Sequence, residues 1–210
     1  MEAVRVGFDT GPLYGPRTGI GHAVASLRAA LQTRADVDLV DYLVSFRADP
    51  GPGARRLPIP AALALRCWAH CDHPRADRWL SGMQVLHGTN YVVPPSRLPR
   101  LVSVYDCWFL RNPGQANRAV ARAAAVLRRA IARGAVVHTS SHASAEAVRE
   151  LFPGAVVHTV HLGALPLPAP PEVAPVSDLV GRPYLLAIGT LERRRNIPVL
   201  VPAFGHLAHR

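Results

Sequence analysis

Two stretches of this chain have the residue types to hold phosphate. Gly19-Ile20-Gly21 puts small residues and open backbone N–H groups where a helix should begin. A helix N-terminus attracts anions because its first N–H groups lack intrahelical partners. Gly189-Thr-Leu-Glu-Arg-Arg-Arg-Asn196 sets three consecutive Arg between an apolar run and a helical one, and guanidinium forks can surround a pyrophosphate with permanent charge. Each stretch also has a plainer reading: Gly-x-Gly is most often a turn device, and an Arg run most often a solvated loop. Asp36 and Asp38 suggest the ribose-binding acid of a dinucleotide fold, but Val24 stands where the last Gly of G-x-G-x-x-G belongs, which argues against an NAD(P) enzyme. Cys67-Trp-Ala-His70-Cys71-Asp-His73 offers four ligand-type side chains. No second cluster closes a four-coordinate shell at zinc spacing, so no metal is assigned.

The elements that must position these groups alternate between short β-branched runs and helical stretches, the pattern of an α/β fold with a parallel, Rossmann-like sheet. Val4–Phe8 is a buried first strand, followed by a loop of turn formers and a helix from Gly19 to about Thr33. Val37–Val44 is a second strand, and residues 47–57, rich in Gly, Pro and Arg, form a surface loop. Helical pieces are expected at 60–71 and 74–81, then strands at Gln84–His87 and Leu101–Tyr105, each ending in a polar cluster. The longest helix, 115–134, is followed by a strand at Val136–Thr139, a helix at Ser141–Leu151 and a strand at Val156–His161. A proline-rich linker over 166–182 precedes a strand at Tyr184–Ile188 and a last helix. In open α/β sheets, ligands bind outside the carboxyl ends of the strands, and the chemistry-bearing residues fall at those ends.

Composition sets the class. Hydrophobic residues make up 49% of the 210 and charged residues 18%, a globular balance. No run approaches the length of a membrane span, and the first residues lack a signal-peptide pattern; with three sparse cysteines, the expectation is a cytoplasmic protein. All 24 basic residues are Arg, against 14 acids, and the excess of +10 is concentrated in residues 47–135. Such a block implies an anionic partner surface. Arg118, Arg122, Arg129 and Arg133 share one stripe of the longest helix, with Val120, Leu127 and Ile131 opposite. The stripe suits peripheral contact with an anionic membrane, and equally an ordinary solvated face. Nucleic acid is not expected as a partner, since no recognised binding motif accompanies the charge.

Gly189 to Phe204 resembles G-T-L-E-P-R-K-N-L-x-x-L-(L/I)-x-A-F of family 4 glycosyltransferases, and four further blocks occur in that family's order. Thr18-Gly-Ile-Gly-His22 is similar to its N-terminal glycine loop. Val85-Leu-His-Gly-Thr-Asn-Tyr-Val-Val-Pro-Pro95 is similar to D-V-x-H-x-x-N-Y-x-x-P, Val102-Ser-Val-Tyr-Asp106 to V-x-T-V-H-D, and Thr139-Ser-Ser-His-Ala-Ser144 to v-S-x-x-S. The resemblance implies a retaining, metal-independent hexosyltransferase of the GT-B fold, built from two facing Rossmann-like domains, using a nucleotide-sugar donor and no cofactor. It implies a saccharide, lipid-linked or small-molecule acceptor, as in glycan or polysaccharide biosynthesis, and for some members work at the inner face of the membrane.

Residue by residue, the resemblance implies that Gly19, Ile20 and Gly21 meet the donor diphosphate from the acceptor side. Arg194 and Arg195 would bind it from the other side, while His87, Thr89 and Asn90 hold a sugar or acceptor hydroxyl. Tyr105 and Asp106 take the place of the family's His-Asp pair beside the reacting sugar. Tyr105 in place of His is a poorer proton carrier near neutrality; Arg195 replaces Lys and Arg193 replaces Pro. The family's paired-glutamate motif is not among these 210 residues. The expectation is therefore an acceptor-side domain over 1–165 and the first βα unit of a truncated donor-binding domain over 183–210. Such a chain would not transfer sugar by itself. The alternative is an inactive remnant, or a half-enzyme completed by a partner chain.

Overall fold

Seven short runs, most of them rich in Val and Leu, pair side by side, every one of them parallel to its neighbours. In the computed structural model, which describes residues 2–15, 18–163, 184–189 and 195–208, the strands are β1 (Val4–Asp9), β2 (Val37–Val44), β3 (Arg55–Leu57), β4 (Val85–Gly88), β5 (Arg100–Val104), β6 (Val136–Thr139) and β7 (Val157–Thr159). Their order across the sheet is β3-β2-β1-β4-β5-β6-β7, a Rossmann-like doubly wound arrangement. The chain works outward from β1 to β3, returns past β1 to lay down β4, and works outward again. The topological switch point therefore lies between β1 and β4, where Phe8 is in register with His87. Because all strands are parallel, every carboxyl end lies on one edge.

The helices of this unit are α1 (Gly19–Gln32), α2 (Ala61–His70), α3 (Trp108–Arg111), α4 (Arg118–Ala132) and α5 (His142–Leu151). Three of them begin where the sequence supplies a cap: Thr18 Oγ1 accepts from Gly21 N–H, Asn117 Oδ1 from Val120 N–H, and Ser141 Oγ from Ser144 N–H. The stop of α4 is equally local. Gly134, at φ 82°, turns the chain left-handed, so that its N–H reaches Ile131 O and Ala135 N–H reaches Ala130 O. The apolar face of α4 is thereby set against α2 and the sheet, with Trp68, Leu127, Val102 and Val137 fully buried. Each such side chain contributes about 2–3 kcal/mol by leaving water.

Four local expectations are corrected. Residues 55–57 of the expected loop are a strand, because Tyr42, Leu43 and Val44 extend β2 far enough for Arg55–Leu57 to add to its edge. The helix expected at 74–81 is only a 3-10 turn, Ala76–Arg78, since Ala76 N–H is taken by Pro95 O from the neighbouring loop. A helix not anticipated, α3, follows Cys107. Tyr184–Ile188 has no strand partner among the described residues and its side chains are exposed; an apolar run makes a strand only against a neighbouring ladder.

Internal contacts divide the chain into Met1–Leu165 and Pro166–Arg210. The expected linker, 166–182, lies outside the described residues. In the second unit, α6 (Ile197–Ala208) follows Asn196, whose carbonyl accepts from Val199 N–H and whose φ of 52° is a left-handed value that Asn tolerates.

Candidate functional site

At the switch point, the ends of β1 and β4 are tied together through the backbone carbonyl of Asp9. Asp9 closes β1; its Oδ1 accepts from Gly11 N–H at 2.9 Å, and its backbone carbonyl accepts from Thr89 Oγ1 at 2.8 Å. Thr10 binds the other neighbour, both its N–H and its hydroxyl reaching Tyr42 O. Asp9 is partly buried at the carboxyl end of β1, beside the switch point. Burial pushes its carboxyl up to about 6, against the downward pull of the Gly11 and Thr89 N–H groups.

β4 ends in Gly88 because nothing larger fits. A Cβ there would lie 1.9 Å from Val92 O and 2.6 Å from Val92 C, so the chain folds directly back over this residue. Within the fold-back, Tyr91 is held at φ 60°, strained for an aromatic residue. Its N–H bonds Ser103 O, and its hydroxyl donates to Asp106 Oδ2 and accepts from Asp106 N–H. Between these anchors sits Asn90, whose buried Oδ1 has no protein partner. An unpartnered buried acceptor costs about 1–3 kcal/mol, a cost that a ligand hydroxyl would remove.

Behind this edge a buried hydrogen-bond chain crosses three strands. His87 Nε2 lies 2.9 Å from Ser103 Oγ, which lies 2.9 Å from His138 Nδ1, and His138 Nε2 lies 3.2 Å from Val160 O. The terminal carbonyl can only accept, which sets the direction. His138 carries its proton on Nε2, Ser103 donates to His138 Nδ1, and His87 donates from Nε2 to Ser103. His87 is pushed down to about 3, first by burial and then by the nearby His138, and its ring sits edge-on to Phe8, 5.3 Å between centroids.

Of the residues singled out in the sequence, Gly19, Ile20, Gly21, His87, Thr89, Asn90, Tyr105 and Asp106 all fall on the carboxyl edge. The roles their geometry permits differ. At the start of α1, Gly21 N–H is taken by Thr18, while Gly19 is exposed and Ile20 partly so. His87 and Thr89 are buried and committed to protein partners, and so hold the site together. Asp106 bonds Tyr91 and accepts from Trp108 N–H, starting α3. Tyr105 is partly buried and its phenol is pushed up by burial, with Ser103 pulling the other way. Its carbonyl is held by Ser144 Oγ at 2.9 Å, fixing α5 to the end of β5. Arg195 belongs to the second unit, where its side chain runs along Gly189. Arg194 lies outside the described residues.

Asp9, Ser103, His138 and Tyr91 were not anticipated. The available signals were an acid immediately closing a buried strand, and single polar residues inside the β-branched runs Val102-Ser-Val104 and Val136-Val-His-Thr139. Asp36 and Asp38 stand at the amino end of β2, paired with Arg34 and Arg5, on the edge away from Gly19. Of the four-Arg stripe, Arg129 and Arg133 are paired with Asp72, which holds that carboxyl below its usual range. Among the described residues, no three His, Cys, Asp or Glu side chains converge, and no helix is long and apolar enough to cross a membrane. Compared with models of known protein families and with curated proteins, the chain matches none.

Proposed function

We propose that this chain is the acceptor-side unit of a glycosyltransferase that draws its sugar from a nucleotide-sugar donor and passes it to a saccharide, lipid-linked or small-molecule hydroxyl. The observation that carries the reading is Asp9, a carboxyl at about 6 closing β1 at the switch point, with the unpartnered Asn90 Oδ1 on the turn that Thr89 ties to it. Both groups are acceptors, and a sugar presents hydroxyl donors. At pH 7 Asp9 is mostly ionised, yet it is a stronger base than an ordinary carboxylate, so it can orient an attacking hydroxyl and take up its proton. Above it, the first N–H groups of α1 suit the donor diphosphate. The resemblance of Gly189–Phe204 and of the four earlier blocks to family 4 glycosyltransferases supplies the reaction class, and with it Arg194 and Arg195 as the cationic partners of the leaving diphosphate.

Acceptor binding is the part of this reaction that the first unit can perform by itself. Saturation-transfer NMR with a panel of neutral oligosaccharides should show at least one saturable binder. Its affinity should fall at least tenfold in Asp9→Asn and in Asn90→Ala. If no oligosaccharide binds, or if both variants bind as the parent does, the reading is wrong.

A further inference from the structure

On the opposite edge, at the amino ends of the strands, arginines converge on a cleft of about 160 Å³ lined by Arg75, Arg97, Arg100 and Arg133, with Asp72 and Ser96. A water occupies about 30 Å³ of liquid, so the cleft has room for a phosphate group. Arg100 opens β5, and Arg133 sits at the end of α4 just before β6. The catalytic reading makes no use of this side of the molecule.

The walls are preformed. Asp77 Oδ1 accepts from Ser96 Oγ at 3.1 Å and from Arg97 N–H at 2.9 Å, while Ser96 Oγ in turn accepts from Leu98 N–H. Arg100 Nη2 donates to Arg133 O at 2.9 Å. Charge is not balanced. Five guanidinium groups, counting Arg129 beside the cleft, face only Asp72 and Asp77, and Asp72 is already shared by Arg129 and Arg133. Arg75 and Arg97 make no ion pair among the described residues. Arg100 is made less basic by burial and by Arg133 next to it. Crowding like charges in a concave, partly desolvated place costs free energy that a bound anion would return. Arg100, bonded to Arg133 O, and Arg133, paired with Asp72, are held in place from β5 and the end of α4, and forked guanidinium donors match a phosphate's several oxygens.

We propose that this cleft is a phosphate-binding site, distinct from the crevice at the carboxyl edge, taking a diphosphate or phosphomonoester group. Isothermal titration of the full chain with inorganic pyrophosphate, in a chloride buffer, should show saturable binding at this cleft that weakens as salt rises. The variant Arg75→Gln/Arg97→Gln, whose side chains hold no structural pair, should bind at least tenfold more weakly. Arg118→Gln/Arg122→Gln, which removes the same charge from α4 away from the cleft, should bind within twofold of the parent. Absence of saturable binding, or equal losses in the two variants, would overturn the site. Co-sedimentation with phosphatidic acid vesicles, against phosphatidylcholine vesicles, separates the two sources of the group. Capture that pyrophosphate displaces identifies a lipid headgroup, and pyrophosphate binding without vesicle capture identifies a soluble phosphate.

Discussion

Gly88→Ala should cost about 4 kcal/mol or more, a large share of a domain's total stability. The added methyl would stand 1.9 Å from Val92 O, 2.6 Å from Val92 C and 2.8 Å from Val93 Cα. All three are backbone atoms that cannot rotate away. They cannot retreat as a segment either, because Tyr91 N–H is bonded to Ser103 O, Thr89 Oγ1 to Asp9 O, and Val93, Pro94 and Pro95 are buried. Gly7→Ala is the informative companion. There the nearest atom is Leu86 Cδ2, at 2.8 Å, the end of a side chain with other rotamers, so the cost should be the about 1–3 kcal/mol of ordinary overpacking. Urea denaturation of both variants checks the ranking. A Gly88→Ala protein within 1 kcal/mol of the parent would mean that the turn over β4 is not as described.

The second large effect is hidden in the parent protein and should emerge only in variants. His87 titrates at about 3 in the fold and near 6.5 when unfolded. Between those values the unfolded chain binds more protons, so stability falls as pH drops below 6.5, by about 2–3 kcal/mol at pH 4.5. Asp9 behaves oppositely. Its folded value of about 6 exceeds the unfolded 3.8, so the native state binds more protons between them and stability rises as pH drops from 6, by about 2 kcal/mol at pH 4.5. In the parent the two terms nearly cancel. In Asp9→Asn the His87 term stands alone, and this variant should lose stability on acidification relative to the parent. In His87→Gln, which keeps an N–H donor toward Ser103, the Asp9 term stands alone and the relative change should be a gain. Urea midpoints from pH 7 to 4.5 measure both, taken as differences from the parent so that Asp36 and Asp72, whose carboxyls are held low by Arg34 and Arg129, cancel. Differences of the same sign in the two variants would contradict the account.

These residues also show what a one-dimensional reading can reach. Six of the seven strands were legible as apolar, β-branched runs bounded by turn formers, while β3 was read as loop; the starts of α1 and α5 were legible at Gly19 and Ser141, and that of α4 was placed three residues early, at 115. The carboxyl edge was legible as a location, through the polar clusters after Leu86 and Val104. What each residue does there was not. The His87–Ser103–His138 chain exists only because β5 and β6 pair with Ser103 opposite His138, and register between strands is a tertiary property. Asp9 was masked by the turn-rich residues that follow it, which read as loop chemistry rather than as the end of a strand at the switch point. The strand expected at Tyr184–Ile188 has the right composition but finds no strand partner among the described residues.

The most direct test of the central claim is where ligands act. Backbone amide shifts of the chain, recorded against a panel of nucleoside diphosphates and against an oligosaccharide that binds, distinguish the two edges of the sheet residue by residue. The account predicts that nucleoside diphosphate moves Gly19, Ile20 and Gly21. It predicts that the oligosaccharide moves Gly11, Thr89 and Asn90, and that the second set of changes disappears in Asp9→Asn. Shifts confined to residues away from the carboxyl edge, or none with either ligand, would contradict it.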